Sequence, residues 1–281
     1  MSFRPRRSVL YMPGANERAL EKAKTLPADA LILDLEDSVG PAQKDEARER
    51  VAAVVAAGGY GKRELVIRVN GLDTEWGMAD MAMAAKAKPH AILVPKVSTA
   101  ADVARAAAIA HGVPLWVMIE TPLAILNLRD IGAAAAAARL TCFVLGTNDL
   151  IKDSRCKPVG ARFALVPMLS QTVVAARAFG LDVIDGVYND FKNEDGFAAE
   201  CEQGVALGMD GKTLIHPGQV EPCNRIFSPS ADEVARARAI ITAFALPEND
   251  KKGVITVDGK MAERLHLAMA ERLVAIAEAI E

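Results

Sequence analysis

Short apolar runs that end in polar or Gly/Pro residues, each followed by a stretch of helical character, recur eight times along this chain, and that rhythm constrains the fold more than any other feature. The runs fall at 8–12, 30–35, 65–69, 91–94, 115–119, 141–145, 182–184 and 212–215. Nearly all lack the in/out alternation of a half-exposed strand, which marks strands covered on both faces. Strands of that kind pair in parallel and need a crossover helix between them. The intervening segments meet that need: Lys44–Ala57 sets Ala47, Val51, Val54 and Val55 on one stripe, and Asn16 and Thr99 stand where N-caps belong. Eight such repeats fit a closed barrel better than an open doubly wound sheet, so the expected class is α/β, a (β/α)8 TIM barrel.

The rhythm changes after the eighth run, which predicts a barrel over residues 1–228 and a C-terminal helical appendage over 229–281. A helix over 231–245 carries Val234, Ala237, Ile241 and Phe244 on one face, and Pro247 follows it. Next come a short strand at Val254–Val257, an Asp258-Gly259 turn, and a last helix with Leu265, Met269, Leu273, Ile276 and Ile280 at helical spacing. An apolar face on a terminal element must be buried, against the same barrel or against a neighbouring subunit, and the neighbour is the expectation.

With 281 residues, 51% of them apolar, the chain has ample material for a core, and its formal net charge of −3 argues against nucleic-acid binding. Arg4, Arg6 and Arg7 precede only a short apolar run before Pro13-Gly14, a poor signal peptide, so a cytoplasmic protein is expected. The small-residue run at 133–138 lies between Asp130 and Arg139 and is far too short to span a membrane. Cys142, Cys156, Cys201 and Cys223 form no Cys-x-x-Cys pair, so free thiols are expected.

In a barrel of this kind the reacting groups lie just beyond the C-terminal ends of the strands. Those positions hold Glu36 and Asp37, Arg68 and Asn70, Lys96, Glu120, Thr147 to Asp149, Asp185 and His216. Carboxylates dominate, which points to a hard, oxygen-liganded cation such as magnesium rather than zinc. Glu120 and Asp149, from adjacent strands, can hold such an ion, although either acid can equally cap the helix that follows it. A charged Arg68 inside a strand requires an anionic partner, which is either Glu36 or Asp37 or the oxygens of a substrate. His216, before Pro217, reads as a scaffold residue, and the segment at 58–63 as a turn. No Gly-x-Ser-x-Gly, Gly-x-Gly-x-x-Gly or His-Glu-x-x-His motif is present.

At these same positions the sequence resembles the citrate lyase β-subunit-like and malyl-CoA lyase family, within the HpcH/HpaI aldolase superfamily. The resemblance rests on Arg7-Ser8-Val9-Leu10-Tyr11-Met12-Pro13-Gly14, on Leu33-Asp34-Leu35-Glu36-Asp37-Ser38-Val39 with Lys44 and Arg48, and on Ile67-Arg68-Val69-Asn70. It continues through Pro95-Lys96-Val97, Ile119-Glu120-Thr121-Pro122, Leu145-Gly146-Thr147-Asn148-Asp149-Leu150, Asp185-Gly186-Val187-Tyr188, Gly211-Lys212 and Ile215-His216-Pro217-Gly218-Gln219.

The resemblance implies a magnesium-dependent carbon–carbon lyase that cleaves or forms a hydroxyacyl-CoA thioester such as malyl-CoA or citramalyl-CoA, with acetyl-CoA and a 2-keto acid on the other side. It makes Glu120 and Asp149 the magnesium ligands and Arg68 the group that clamps substrate and stabilises the enolate oxygen, with Glu120 also next to substrate. Glu36, Asp37 and Lys96 support those groups from behind. Family members supply a proton-exchanging aspartate from a Gly-x-Met-Ile-Asp segment, across the interface of a homotrimer or hexamer. Here that segment is Gly259-Lys260-Met261-Ala262-Glu263, so Glu263 takes the aspartate's position with one more methylene. A thioesterase on malyl-CoA, an aldolase on free 2-keto acids, and a non-catalytic coenzyme A-binding or lyase-complex subunit are the alternatives.

Overall fold

The computed structural model describes residues 4–157 and 159–280. Eight parallel strands close into a barrel in chain order: β1 (Ser8–Pro13), β2 (Ala30–Asp34), β3 (Glu64–Arg68), β4 (Ala91–Val94), β5 (Leu115–Ile119), β6 (Leu140–Leu145), β7 (Asp182–Asp185) and β8 (Gly211–Leu214). The ring is shut by pairing of β1 with β8, Ser8 opposite Lys212. Each strand falls within two residues of its expected run. Helix caps also form where expected, with Asn16 accepting from the Ala19 N–H and Thr99 closing a capping box with Asp102.

The missing alternation has a direct cause. Val9, Ala30, Ile32, Val66, Ala91, Leu93, Trp116, Met118, Cys142, Val144 and Ile184 make one buried cluster, with Tyr11 packed on it. Their neighbours Leu10, Leu31, Leu33, Ile67, Ile92, Val117, Phe143 and Val183, which point the other way along each strand, are buried as well. With both faces apolar, the period of two carries no hydropathy signal until a strand ends. Following the inward positions upward shows where polarity enters: Ala30 and Ile32 lead to Asp34, Val66 leads to Arg68, and Trp116 and Met118 lead to Glu120.

At the opposite end of the barrel Arg6 pairs with Glu64 at 2.8 Å and Asp182 at 2.6 Å, and its guanidinium lies 4.7 Å from the Trp116 ring centre. Charges at that end serve stability rather than chemistry. All four cysteines are free thiols, three of them buried. The alanine-rich run does form helix, but in two pieces, Leu128–Ala133 and Ala135–Ala138. Among the described residues no helix is long and apolar enough to cross a membrane.

The barrel unit runs from Arg6 to Arg225, so it starts later than the expected residue 1, with the described residues before Arg6 grouped with the C-terminal unit, and it ends slightly before the change of rhythm at 229, where the helix Val220–Ile226 closes the last barrel repeat. From Ile226 onward a second unit contains the helix Ala231–Phe244, opened by a Ser230–Glu233 capping box, and the helix Arg264–Ile280. Between them β9 (Val254–Val257) pairs antiparallel with β10 (Lys260–Glu263), Met261 opposite Thr256. The turn uses left-handed backbone at Asp258 (φ 49°) and Gly259 (φ 75°), which matches the twist of a two-residue hairpin. The second strand is not foreseen in the sequence, since Lys-Met-Ala-Glu has no β-branched residue and pairing with β9 overrides its weak propensity. Glu263 therefore ends a strand instead of standing in the first turn of the last helix.

Candidate active site at the barrel mouth

Glu120 follows directly on β5, and its Oε1 accepts the Lys96 backbone N–H at 2.6 Å. Lys96 presents that N–H from a left-handed conformation (φ 58°), a strained state for a residue with a side chain. Opposite, Gly146 leaves room: a Cβ there would come 2.4 Å from the Glu120 Cβ and 2.7 Å from its Oε2. Asp149 stands in the first turn of the helix Thr147–Ser154, where the helix's positive end favours a carboxylate. The Lys96 ammonium reaches both acids, 2.8 Å from Asp149 Oδ1 and 3.5 Å from Glu120 Oε2.

The two carboxylates titrate apart. Burial raises Glu120, with the Asp149 charge adding and Lys96 opposing. Burial also acts to raise Asp149, but the bond and charge of Lys96, together with Lys152, bring it below the usual carboxylate range. Lys96 itself is raised, its partial burial outweighed by Asp149 and Glu120. Two acids drawn onto one ammonium form a place that demands positive charge. An all-oxygen donor pair beside an open cavity suits magnesium, which keeps several positions for water and substrate. Among the described residues no group of three or more His, Cys, Asp or Glu is placed to hold a metal ion.

A second cluster surrounds Arg68. Its Nε and Nη2 donate to the two oxygens of Asp34 at 2.6 and 2.8 Å, its Nη1 lies 2.8 Å from Glu36 Oε2 and 3.3 Å from Asp37 Oδ2, and the guanidinium rests 4.7 Å from the Tyr11 ring centre. The sequence predicts Glu36, Asp37 or a substrate as the partner of Arg68; the principal partner is Asp34. The signal was available, because Asp34 shares an inward face with Ala30 and Ile32 and stands directly across from Arg68 in the β2–β3 register. Burial acts to raise the Asp34 carboxyl, and the Arg68 charge and bonds outweigh it, so the group lies below its ordinary value. Glu36 goes the other way. Burial pushes it up to about 8, Arg68 opposes, and the neighbouring Asp37, Glu120 and Asp34 charges add to the rise. Its Oε2 is close to Nη1 but off the N–H direction, and is buried without a hydrogen bond.

The loop that carries Glu36 and Asp37 is held from below. Asp34 accepts the backbone N–H of Glu36 and Ser38 at 2.9 and 3.1 Å. Buried Lys44 donates to the carbonyls of Leu35 and Glu36 and to Asn70 Oδ1, and Asn70 in turn donates to Asp80. A cavity of about 310 Å³ opens between the two clusters, and Tyr11, Arg68, Met118, Thr147, Asn148 and Asp149 are on its walls. Arg68 and Asp149 thus face one space, with Glu120, Lys96 and Glu36 in contact behind them. Asn148 and Asn189, also on the wall, exchange amide hydrogen bonds at 2.8 and 3.4 Å. His216 accepts the Gly218 N–H on Nδ1 and stacks on Phe191 at 4.7 Å, a scaffold arrangement. Glu263 belongs to the second unit, where its backbone N–H donates to His266 Nδ1 at 2.9 Å and its side chain is half-buried.

Comparison with known proteins adds an independent finding. The family model HpcH/HpaI aldolase/citrate lyase matches residues 7–217, and a model of C–C bond lyases of the TIM-barrel fold matches residues 164–280. The chain is 51% identical over 278 residues to a (3S)-malyl-CoA thioesterase of Cereibacter sphaeroides, covering 98% of this chain and 96% of the relative. It is 34% identical to the citrate lyase subunit beta of Escherichia coli, over 95% of this chain and 94% of that one. Among solved structures, CitE from Mycobacterium tuberculosis in complex with magnesium, acetoacetate and coenzyme A superposes with a TM-score of 0.79 at 26% identity, over 99% of this chain and 98% of that one.

Proposed function

This chain belongs to the HpcH/HpaI aldolase/citrate lyase family, and we propose that it is a magnesium-dependent enzyme that splits a malyl-CoA- or citramalyl-CoA-type thioester into acetyl-CoA and a 2-keto acid. The observation that carries this reading is a single cavity faced on one side by Asp149, which shares the Lys96 ammonium with Glu120, and on the other by a guanidinium buried among carboxylates. Magnesium, a keto acid and coenzyme A are bound together in the similar mycobacterial structure, which supports the same classes of partner here.

Glu120 and Asp149 would hold the magnesium ion, which when bound supplies Lewis-acid polarisation of the substrate's hydroxyl and carboxylate oxygens. Lys96 balances the two acids and keeps them converged. Asp34 fixes the plane of Arg68, whose charge faces the cavity where the thioester oxygen becomes negative. A carboxyl raised like that of Glu36 holds its proton near neutral pH, so the Arg68 charge is not over-compensated. In cleavage the hydroxyl proton passes to a water molecule, the oxygen's pair forms the carbonyl of the keto acid, and the carbon–carbon bond breaks, its electron pair forming the acyl-CoA enolate, which then takes a proton on carbon. Glu263 is the candidate donor of that proton, contributed by a neighbouring subunit of a homotrimer or hexamer.

A second reading, hydrolysis of the same thioester, is favoured by the 51% identity to a malyl-CoA thioesterase and by the glutamate that stands where the lyase pattern has aspartate. Product analysis separates the two. Incubation with malyl-CoA and magnesium yields acetyl-CoA with glyoxylate if the carbon–carbon bond breaks, and malate with free coenzyme A if the thioester does. Binding of coenzyme A with no turnover of any such thioester contradicts both and leaves a non-catalytic subunit.

A further inference from the structure

Both reactions just described develop negative charge on the same atom, the thioester oxygen, and the enzyme gains rate only from donors aimed at that charge. Arg68 is poorly free to serve alone. Its Nε–H and one Nη2–H are taken by Asp34, while Nη1 is shared among Glu36, Asp37 and the Met118 sulfur. Three other polar side chains on the wall are engaged as well: Asn148 and Asn189 bind one another, and the Thr213 hydroxyl donates to the Asp185 carbonyl at 2.9 Å.

Tyr11 is different. It stands on β1 two residues beyond inward-facing Val9, packs on the barrel's interior cluster, and lines the cavity beneath the Arg68 guanidinium. The ring has a partner in Arg68, yet the hydroxyl makes no hydrogen bond with any described residue. We infer that the Tyr11 hydroxyl is a catalytic residue of this site, donating a hydrogen bond to the thioester oxygen as it turns into an oxyanion. The assignment rests on the thioester reading above and deepens it.

The chemistry is consistent with the position. A phenol is a more acidic donor than a serine or threonine hydroxyl, so it makes a stronger bond to an anion. Burial raises the Tyr11 phenol, Arg68 opposes, and Asp34, Glu120 and Glu36 add to the rise, so the group stays protonated and able to donate throughout the physiological range. The proton remains on the phenol throughout. In carbon–carbon cleavage the breaking bond's pair enters the carbon–carbon double bond of the enolate, and the carbonyl π pair moves to the oxygen that Tyr11 contacts. In hydrolysis a water molecule gives a proton to a second water as its oxygen bonds to the carbonyl carbon, and the same π pair moves to the same oxygen; the pair then returns, the carbon–sulfur bond breaks, and coenzyme A leaves as a thiolate that takes up the proton. One donor thus serves either outcome.

Tyr11→Phe tests the hydroxyl alone, because the ring and its contact with Arg68 remain. The expected result is a fall in kcat of about 10²- to 10³-fold, the loss seen when one oxyanion donor is removed, with KM and magnesium affinity changed by no more than about threefold. A kcat within about threefold of wild type overturns the assignment, since the ring would then be all that matters; so does a rise in KM with kcat unchanged. A second measurement does not depend on turnover. S-carboxymethyl coenzyme A brings a carboxylate oxygen to within about one bond length of where the oxyanion forms, close enough to meet the same donor, whereas S-ethyl coenzyme A brings no oxygen there. By calorimetry the variant should lose roughly 10- to 100-fold in affinity for the first, the range for a hydrogen bond to a charged group, and nothing for the second. Equal losses for both, or none, count against Tyr11 while leaving the thioester reading intact. Failure of the wild type to bind either thioether removes that reading and the Tyr11 role with it.

Discussion

The barrel strands and the C-terminal unit treat apolar surface in opposite ways. Apart from Tyr11, the large apolar side chains of the barrel strands are buried on both faces, and even charges on them are sequestered: Arg68, Asp34, Asp185 and Lys212 are each less than a tenth exposed. In the second unit the apolar cluster has only Phe244, Ile255 and Ala262 fully buried, and on the helix Arg264–Ile280 the only fully buried residue is Ala270. Met261, Leu265 and Met269 are 65%, 55% and 64% exposed. One region completes its own core, while the other presents a face suited to burial by another chain. That face agrees with the proposal that the unit joins a homotrimer or hexamer and brings Glu263 to a neighbour.

This contrast can be broken first at the ion pairs. Arg68→Met leaves Asp34 buried beside a neutral group and should destabilise the barrel by about 3–5 kcal/mol, the cost of stranding a buried charge. Arg238→Ala removes an exposed partner 3.8 Å from Glu278 in the second unit and should cost no more than about 0.5 kcal/mol. Denaturant titration of both variants checks the pair, and similar losses would erase the distinction.

Next in size is the effect of pH on the barrel. Glu36, held up to about 8 by burial, keeps its proton when folded while the unfolded chain releases one near the ordinary value of 4.5. Folding is therefore most favoured by this group below about 4.5, and its contribution is lost as pH rises toward and through 8. Wild-type stability should fall over that window, and Glu36→Gln should flatten the slope. An unchanged slope would show that Glu36 is ionised in the fold. The smallest effect on folding is expected at the exposed face. Met269→Ser should alter unfolding free energy by less than about 0.5 kcal/mol, yet shift the mass distribution toward smaller species in sedimentation. An unaltered assembly would mean that this side chain lies outside the interface.

The same contrast explains what could be read in the sequence. Eight buried strands announce themselves as continuous apolar runs, and their polar ends pointed directly to Arg68, Lys96, Glu120 and Asp149. Continuous hydrophobicity, however, conceals which residues face inward. Asp34 therefore went unnoticed as the partner of Arg68, although the register sets them opposite. The strand Lys260–Glu263 was invisible because its residues carry no β preference and its pairing is a tertiary fact. No contact order or cap in the sequence separates a carboxylate that a lysine backbone holds, as with Glu120, from one that merely opens a helix.

The central claim is that Glu120 and Asp149 form one divalent-cation site at the barrel mouth. Manganese binding followed by water-proton relaxation tests it without any substrate. Wild type and Tyr11→Phe should each bind one ion per chain, and Glu120→Gln and Asp149→Asn should each weaken that binding by at least about 10-fold, the lower end of the effect of altering groups around a metal. Equal binding by all four proteins would place the ion elsewhere and contradict the account.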